Sequence, residues 1–237
     1  MGFDLPRDIV LPVETIDVRL DPAPHPLERD NLAAIEENWR HEVSINRHLF
    51  DGQVALLSEL SYNEGRLVGR CHIVRYATFM YWLRNLETPG AGHVFAHAML
   101  VSSDNKLVAI RMGKHTVNAG RVYFAAGSFE LEDFHDGLVD VDFNMKREVK
   151  EETGLDIAEA SPAKRYYLLS TRSGTVIFRR YRMPLTANAM VSRIKAFVAA
   201  EANPEISAPV VIHSASDLPD DLAGHMKPLI QWHFSGA

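Results

Sequence analysis

Apolar residues recur along the chain at two spacings, every second position and every third or fourth. The interleaving of the two predicts a mixed α and β protein. Ile16, Val18 and Leu20 alternate with polar neighbours across 14–20, which reads as a strand. Leu32, Ile35, Trp39 and Val43 recur at helical spacing within 26–47, which reads as one amphipathic helix. Strands over 53–60 and 66–75 flank the turn Asn63-Glu64-Gly65 and form a hairpin, following the turn Asp51-Gly52. A short helix over 77–86 carries Phe79, Met80, Trp82 and Leu83, a stripe that reads as core rather than as a base-stacking platform.

Thr88-Pro89-Gly90-Ala91-Gly92 is where proline and glycine cluster between two patterned blocks. It divides an N-terminal extension or small subdomain, 1–90, from a second unit, 91–237. The second unit opens with strands over 94–102 and 106–112 joined at Asp104-Asn105, then a strand over 121–126 that delivers the chain to Gly127. Further strands are expected over 165–170 and 175–183 about Ser173-Gly174, a helix over 187–202, and a strand over 209–213. A closing helix containing Met226, Leu229, Ile230 and Trp232 is expected to be capped near Asp217 and interrupted near Pro228.

One stretch departs from this amphipathic background. Arg147-Glu148-Val149-Lys150-Glu151-Glu152-Thr153-Gly154-Leu155 reads as the end of a helix, with Gly154 suited to the left-handed position just past the last turn. Residues three and four apart are neighbours on a helix, so Glu148, Glu151 and Glu152 share one side. Three like charges there repel unless a cation joins them, and oxygen-only ligands suit a hard divalent ion. Taken alone, a Glu-Glu pair is more often a solvated acidic face.

The series Arg-Glu-apolar-X-Glu-Glu-X-Gly-apolar resembles the second half of the signature of the Nudix hydrolases, and every specified position is met. The similarity in element order extends over roughly 91–235. The resemblance implies an α+β fold, an αβα sandwich with a mixed sheet, here with an N-terminal α/β extension. It implies a Nudix-type pyrophosphohydrolase that uses Mg²⁺, with Mn²⁺ as a substitute, to split a diphosphate in a nucleoside diphosphate linked to another moiety, such as a nucleotide sugar or ADP-ribose. Glu148, Glu151 and Glu152 would be the metal ligands, and Arg147 would brace them. A backbone carbonyl near Ala126 or Gly127 would complete the metal site, and the general base would be Glu152, Glu205 or Glu201. The first half of the signature departs from the pattern, because nineteen residues lie between Gly127 and Arg147 where the family has thirteen. Glu132 and Asp133 both remain candidates for the first motif acid. The inserted segment, 134–140, reads as a turn approaching a helix capped by Asp140 or Asp142.

Composition narrows the setting. The 237 residues are 46% hydrophobic and 24% charged, enough for a large core, and the net charge of −6 supplies no basic field for nucleic acid. The expected partner is a small nucleotide-type molecule. No apolar run is long enough to span a membrane, and the N-terminus has no signal-peptide core, so the expected setting is a reducing cytoplasm. Arg111, Lys114 and Arg172 are candidate phosphate contacts, each near a strand end or loop. Arg180 and Arg182 share a strand face that reads as solvated or edge. The eleven histidines form no zinc pattern, and His93 with His97 makes no metal site alone. Cys71 reads as a half-buried strand residue. The N-terminal block suits either a homodimer interface or a wall of the substrate pocket.

Two rivals stand beside the hydrolase: a Nudix-like nucleotide-binding or regulatory module without turnover, and an isomerase of allylic diphosphates. The isomerase chemistry would want a reactive cysteine near the site, and Cys71 lies outside the motif block.

Overall fold

The computed structural model describes residues 2–236, which form two sheets and six α-helices. The first sheet has the order Phe3–Asp4, Gln53–Asn63, Arg66–Arg75, Thr15–Leu20, Leu138–Val139, Phe134–His135. The second runs Ile206–Ile212, Leu107–Met112, Val94–Val101, Gly174–Arg182, Tyr166–Thr171, Val10–Val13, with short strands Val122–Tyr123, Ala126–Ser128 and Ser161–Pro162 paired beside this path. Both sheets are mixed. Thr15–Leu20 runs parallel to Arg66–Arg75, and Gly174–Arg182 parallel to Val94–Val101.

The period of two along Gly174–Arg182 shows how helices flank the second sheet. Phe178 and Arg180 meet Trp232 of the closing helix, Met226–Phe234, with the Arg180 guanidinium 4.5 Å from the indole ring centre. Arg179 and Tyr181 point the other way and hold Asp142 of the Val141–Thr153 helix. Helices therefore cover both faces, the αβα sandwich the sequence leads one to expect. The Ala187–Ala200 helix packs against Ile206–Ile212 and against the Val141–Thr153 helix. One continuous apolar core joins the inner faces of the two sheets, from Val18, Leu57 and Leu67 to Leu100, Ile110 and Phe178.

The proline and glycine cluster at 88–92 is bridged by strand pairing in both directions. Val10–Val13 leaves the N-terminal block to pair with Tyr166–Leu169 at the edge of the second sheet. In return, the segment after Gly127 enters the first sheet, where Leu138 pairs with Arg19 and the Leu20 N–H donates to the Gly137 carbonyl at 2.9 Å. That segment contains the expected turn and leads into the helix capped by Asp140, with the addition that strands Phe134–His135 and Leu138–Val139 close the turn as a hairpin. Asp136 and Gly137 both have positive φ, at 52° and 74°, the backbone of a tight two-residue hairpin turn.

Other expectations are adjusted for local reasons. The helix expected over 26–47 is two, Pro26–Asp30 and Leu32–Ile45, because the Asn31 amide donates to the Leu27 carbonyl and closes the first. The strand expected over 121–126 is two short pieces, the second containing Gly127 and pairing with Phe95–His97. Pro228 sits in the first turn of the closing helix, where its missing N–H has no intrahelical partner to lose, so the helix is uninterrupted and Asp217 does not cap it. Cys71 is fully buried rather than half-buried, and burial pushes its thiol up to about 12. Arg182 bonds Asn105 at 2.7 Å, so neither it nor Arg180 stands on a purely solvated face. No helix among the described residues is long and apolar enough to cross a membrane.

Candidate active site

The Val141–Thr153 helix is held at both ends by its own sequence. Asp140 accepts from the Phe143 N–H at 2.9 Å, and Gly154 takes the left-handed conformation at φ 70°. Met145 and Val149 are fully buried on one side, which fixes the helix's rotation and with it the direction of the carboxylates.

Arg147 gathers most of the acids. Its guanidinium lies 3.1 Å from Asp133 Oδ2, 2.9 Å from Glu148 Oε1, 3.0 Å from Glu151 Oε2 and 3.4 Å from Glu132 Oε1. Of the two candidates left by the insertion, Asp133 is wholly buried and also accepts from Asn144 Nδ2 and the Glu130 N–H, while Glu132 remains exposed. Asp133 is therefore the acid locked to the arginine. Burial opposes the charge on Arg147, but Glu148, Asp133 and Glu151 outweigh it and hold its pKa above the ordinary value.

Glu152 stands outside this network. It is 3% exposed, its one hydrogen bond comes from the Ala126 N–H at 2.9 Å, and it has no cationic partner among the described residues. Burial, reinforced by Glu148, pushes its carboxyl well above the usual range. Glu148 is raised to about 8: burial outweighs the opposing Arg147, and Glu151 adds to the rise. Gly127 is required where it is, since a Cβ there would sit 1.8 Å from Glu148 Oε1.

A buried carboxylate without a countercharge either keeps a proton or takes a cation, because the desolvated charge costs several kcal/mol. Glu148, Glu152 and the half-exposed Glu151 supply only oxygen donors, so by donor chemistry they fit a hard divalent ion. In the arrangement described, these oxygens are turned toward Arg147 and the Ala126 N–H. No group of three acidic, histidine or cysteine side chains converges as a finished cation cage among the described residues.

The remaining expected residues are dispersed. Glu205 is exposed, sits before Ile206–Ile212, and is near enough for its charge to raise the Glu152 carboxyl. Glu201 caps the far end of the Ala187–Ala200 helix. Arg111 is paired with Asp221 and donates to the Gly120 carbonyl, Arg172 is paired with Glu87, and Lys114 lies exposed in the loop after Met112. The structure does not bring these three cations together.

Beside the carboxylates lies a cavity of about 560 Å³ whose floor includes Ala126, Gly127 and Ser128. His93, Phe95, His97, Tyr123 and His225 line it, along with Tyr76 and Phe79 from the N-terminal block. Tyr123 joins the two places: burial raises its phenol, and the charges of Glu152, Glu205 and Glu148 raise it further. Of these residues, the sequence singled out His93 with His97, as no metal site alone, and Phe79, as part of a core stripe. The rest come from distant stretches.

No family model and no curated protein matches the chain. Several solved structures are similar to it, and they are Nudix proteins, the family its residue pattern resembles. The MutT protein of Methanosarcina mazei Go1 is 14% identical with a TM-score of 0.39, over 61% of this chain and 94% of its own. A Caenorhabditis elegans Ap4A hydrolase is 11% identical with a TM-score of 0.44, over 60% and 96%. A MutT Nudix hydrolase of Burkholderia pseudomallei is 16% identical with a TM-score of 0.37, over 59% and 98%. Likeness of this degree concerns the fold and says nothing of activity.

Proposed function

We propose that the protein is a Nudix-type hydrolase that uses a divalent metal ion, Mg²⁺ or Mn²⁺, to cleave a diphosphate in a nucleoside diphosphate linked to another group. The observation that carries this reading is Glu152: a buried carboxylate, one helical turn from the Arg147–Glu148 pair, with no cation partner among the described residues. Glu148, Glu151 and Glu152 would hold the metal. Bound there, it would neutralise phosphate charge and acidify a water. The chain's own residues have separate tasks. Asp133 holds Arg147, and Arg147 orients Glu148 and Glu151. Glu205, whose charge is felt at Glu152, would take the proton from an attacking water onto its carboxylate, with Glu152 as the alternative acceptor.

Purified protein incubated with Mg²⁺ and a panel of nucleotide sugars, ADP-ribose and dinucleotides is expected to release phosphate-containing products from some members and to lose this on chelation. A binding module without turnover is the second reading. The lengthened segment between Gly127 and Arg147, which puts Asp133 on the arginine, favours it. Tight nucleotide binding with no metal-dependent release across the panel would establish it over the hydrolase.

A further inference from the structure

The cavity beside Ala126–Ser128 has a composition opposite to that of the carboxylate helix. Its wall is a run of rings in mutual contact. Phe79 meets His93 edge-on at 4.7 Å, His93 stacks on Phe95 at 5.1 Å and 21°, and Phe95 meets His225 at 5.2 Å. Three of the wall's rings are histidines, yet none carries charge at neutral pH. Burial holds His93 down to about 3 and His225 to about 4, and His97 lies well below its ordinary value. An uncharged, flat-sided pocket stabilises an uncharged planar ring, by stacking and by burial of apolar surface.

The hydrogen bonds of the histidines give this pocket a polarity. His97 Nδ1 lies 2.9 Å from the Phe124 carbonyl, which can only accept, so His97 carries its proton on Nδ1. Its Nε2 is then a lone pair. His225 Nε2 lies 2.8 Å from that atom, so it must be the donor. A neutral His225 with its proton on Nε2 presents Nδ1 as an acceptor, and this atom has no hydrogen-bond partner among the described residues. Hydrogen bonds thus run from a backbone carbonyl through two rings and leave one unpaired acceptor on His225, a residue of the cavity wall. His93 is occupied otherwise, with Nε2 2.8 Å from Ser128 Oγ.

We infer that His225 is a specificity-determining residue: the cavity takes an uncharged nitrogen heterocycle bearing an N–H donor, which bonds to His225 Nδ1 while the ring lies against Phe95 and His93. This deepens the hydrolase reading and rests on it for the diphosphate end of the molecule. Phe79, against His93, and Tyr76, against Phe79, extend the same lining, so the N-terminal block takes part in substrate choice. Arg121, exposed on the rim, is the cation that the attached phosphate would meet, in place of Arg111 and Arg172, which are already paired.

The test uses the full chain without metal, so that binding is read apart from turnover. Adenosine 5′-monophosphate and purine riboside 5′-monophosphate differ by one amino group, the only N–H donor on the base. Calorimetry is expected to give a Kd about tenfold lower for the first, the ratio one unpaired hydrogen bond produces. His225→Phe should bring the two within about twofold while Arg121→Ala weakens both and leaves their ratio unchanged. Equal binding by the wild type, failure of both to bind, or discrimination that survives in folded His225→Phe overturns the inference. If His225→Phe does not fold, the wild-type ratio and Arg121→Ala decide. Metal-dependent cleavage without discrimination defeats this inference alone; discrimination without cleavage defeats the hydrolase reading alone.

Discussion

The short strand Ala126–Ser128 touches two regions that treat charge in opposite ways. One side has four acids around Arg147 and a fifth, Glu152, without a cation partner among the described residues. The other has three histidines, all kept neutral by burial. Burial is the same cause in both, but it acts on acids by raising their pKa and on bases by lowering it. The result is a pair of adjoining regions, one rich in buried carboxylates and one lined by uncharged rings. Under the proposed function the first would take a cation and, through it, an anionic linkage, and the second an uncharged ring.

Each perturbation below separates the two regions, in order of expected size. Glu152→Gln removes the uncompensated acid and is expected to lower metal-dependent kcat by on the order of 10³-fold, while Kd for a nucleoside monophosphate in the cavity stays unchanged. A parallel loss of ring binding would show that the regions are one. Asp133→Ala removes a fully buried acid from the largely buried Arg147 and leaves Asn144 Nδ2 only the Ser128 carbonyl at 3.5 Å, so urea unfolding should show a loss of about 2 kcal/mol, with the histidine cavity's ligand preference intact. Gly127→Ala drives a methyl group against Glu148 and should lower stability by about 2 kcal/mol, read by thermal melting, together with weaker cation binding.

The response to pH, smallest when taken per pH unit, is also the most diagnostic, because its sign differs between the regions. Glu148 is raised from 4.5 to about 8, so the folded protein binds more protons than the unfolded chain across that window. Stability without metal should therefore fall as pH rises from about 4.5 to 8, by up to about 1.4 kcal/mol per pH unit for this group. His225 is lowered from 6.5 to about 4, so the unfolded chain binds more protons between those values, and stability should fall as pH drops through them. Denaturant midpoints from pH 4 to 8 should trace both arms, with Glu148→Gln flattening the alkaline arm and His225→Phe the acid one.

The two regions were also unequally legible in the sequence. The carboxylate helix is local: Arg147 to Leu155 contains its own spacing and its own glycine stop, so its geometry followed from helical periodicity. Asp133 could not be separated from Glu132, because the choice depends on a hairpin whose Leu138 pairs with Arg19, far away in sequence. The Val10–Val13 strand was concealed by Pro12, which an edge strand tolerates and a central one does not. The cavity left almost no trace, since Tyr76, His97 and His225 meet only in three dimensions and loop residues such as His225 carry no periodicity. Arg111 and Arg172 looked available for phosphate because the acids that occupy them, Asp221 and Glu87, lie in other elements.

Under the proposed function the buried acids of the Val141–Thr153 helix would hold a divalent cation. Mn²⁺ titrated calorimetrically into metal-free protein at pH 7, in two buffers of different ionisation enthalpy, measures both the binding and the protons it displaces. With Glu148 near 8 and Glu152 above the usual range, binding is expected to release at least about one proton per site, and less in Glu152→Gln. Binding without proton release, or no binding at all, would contradict the account.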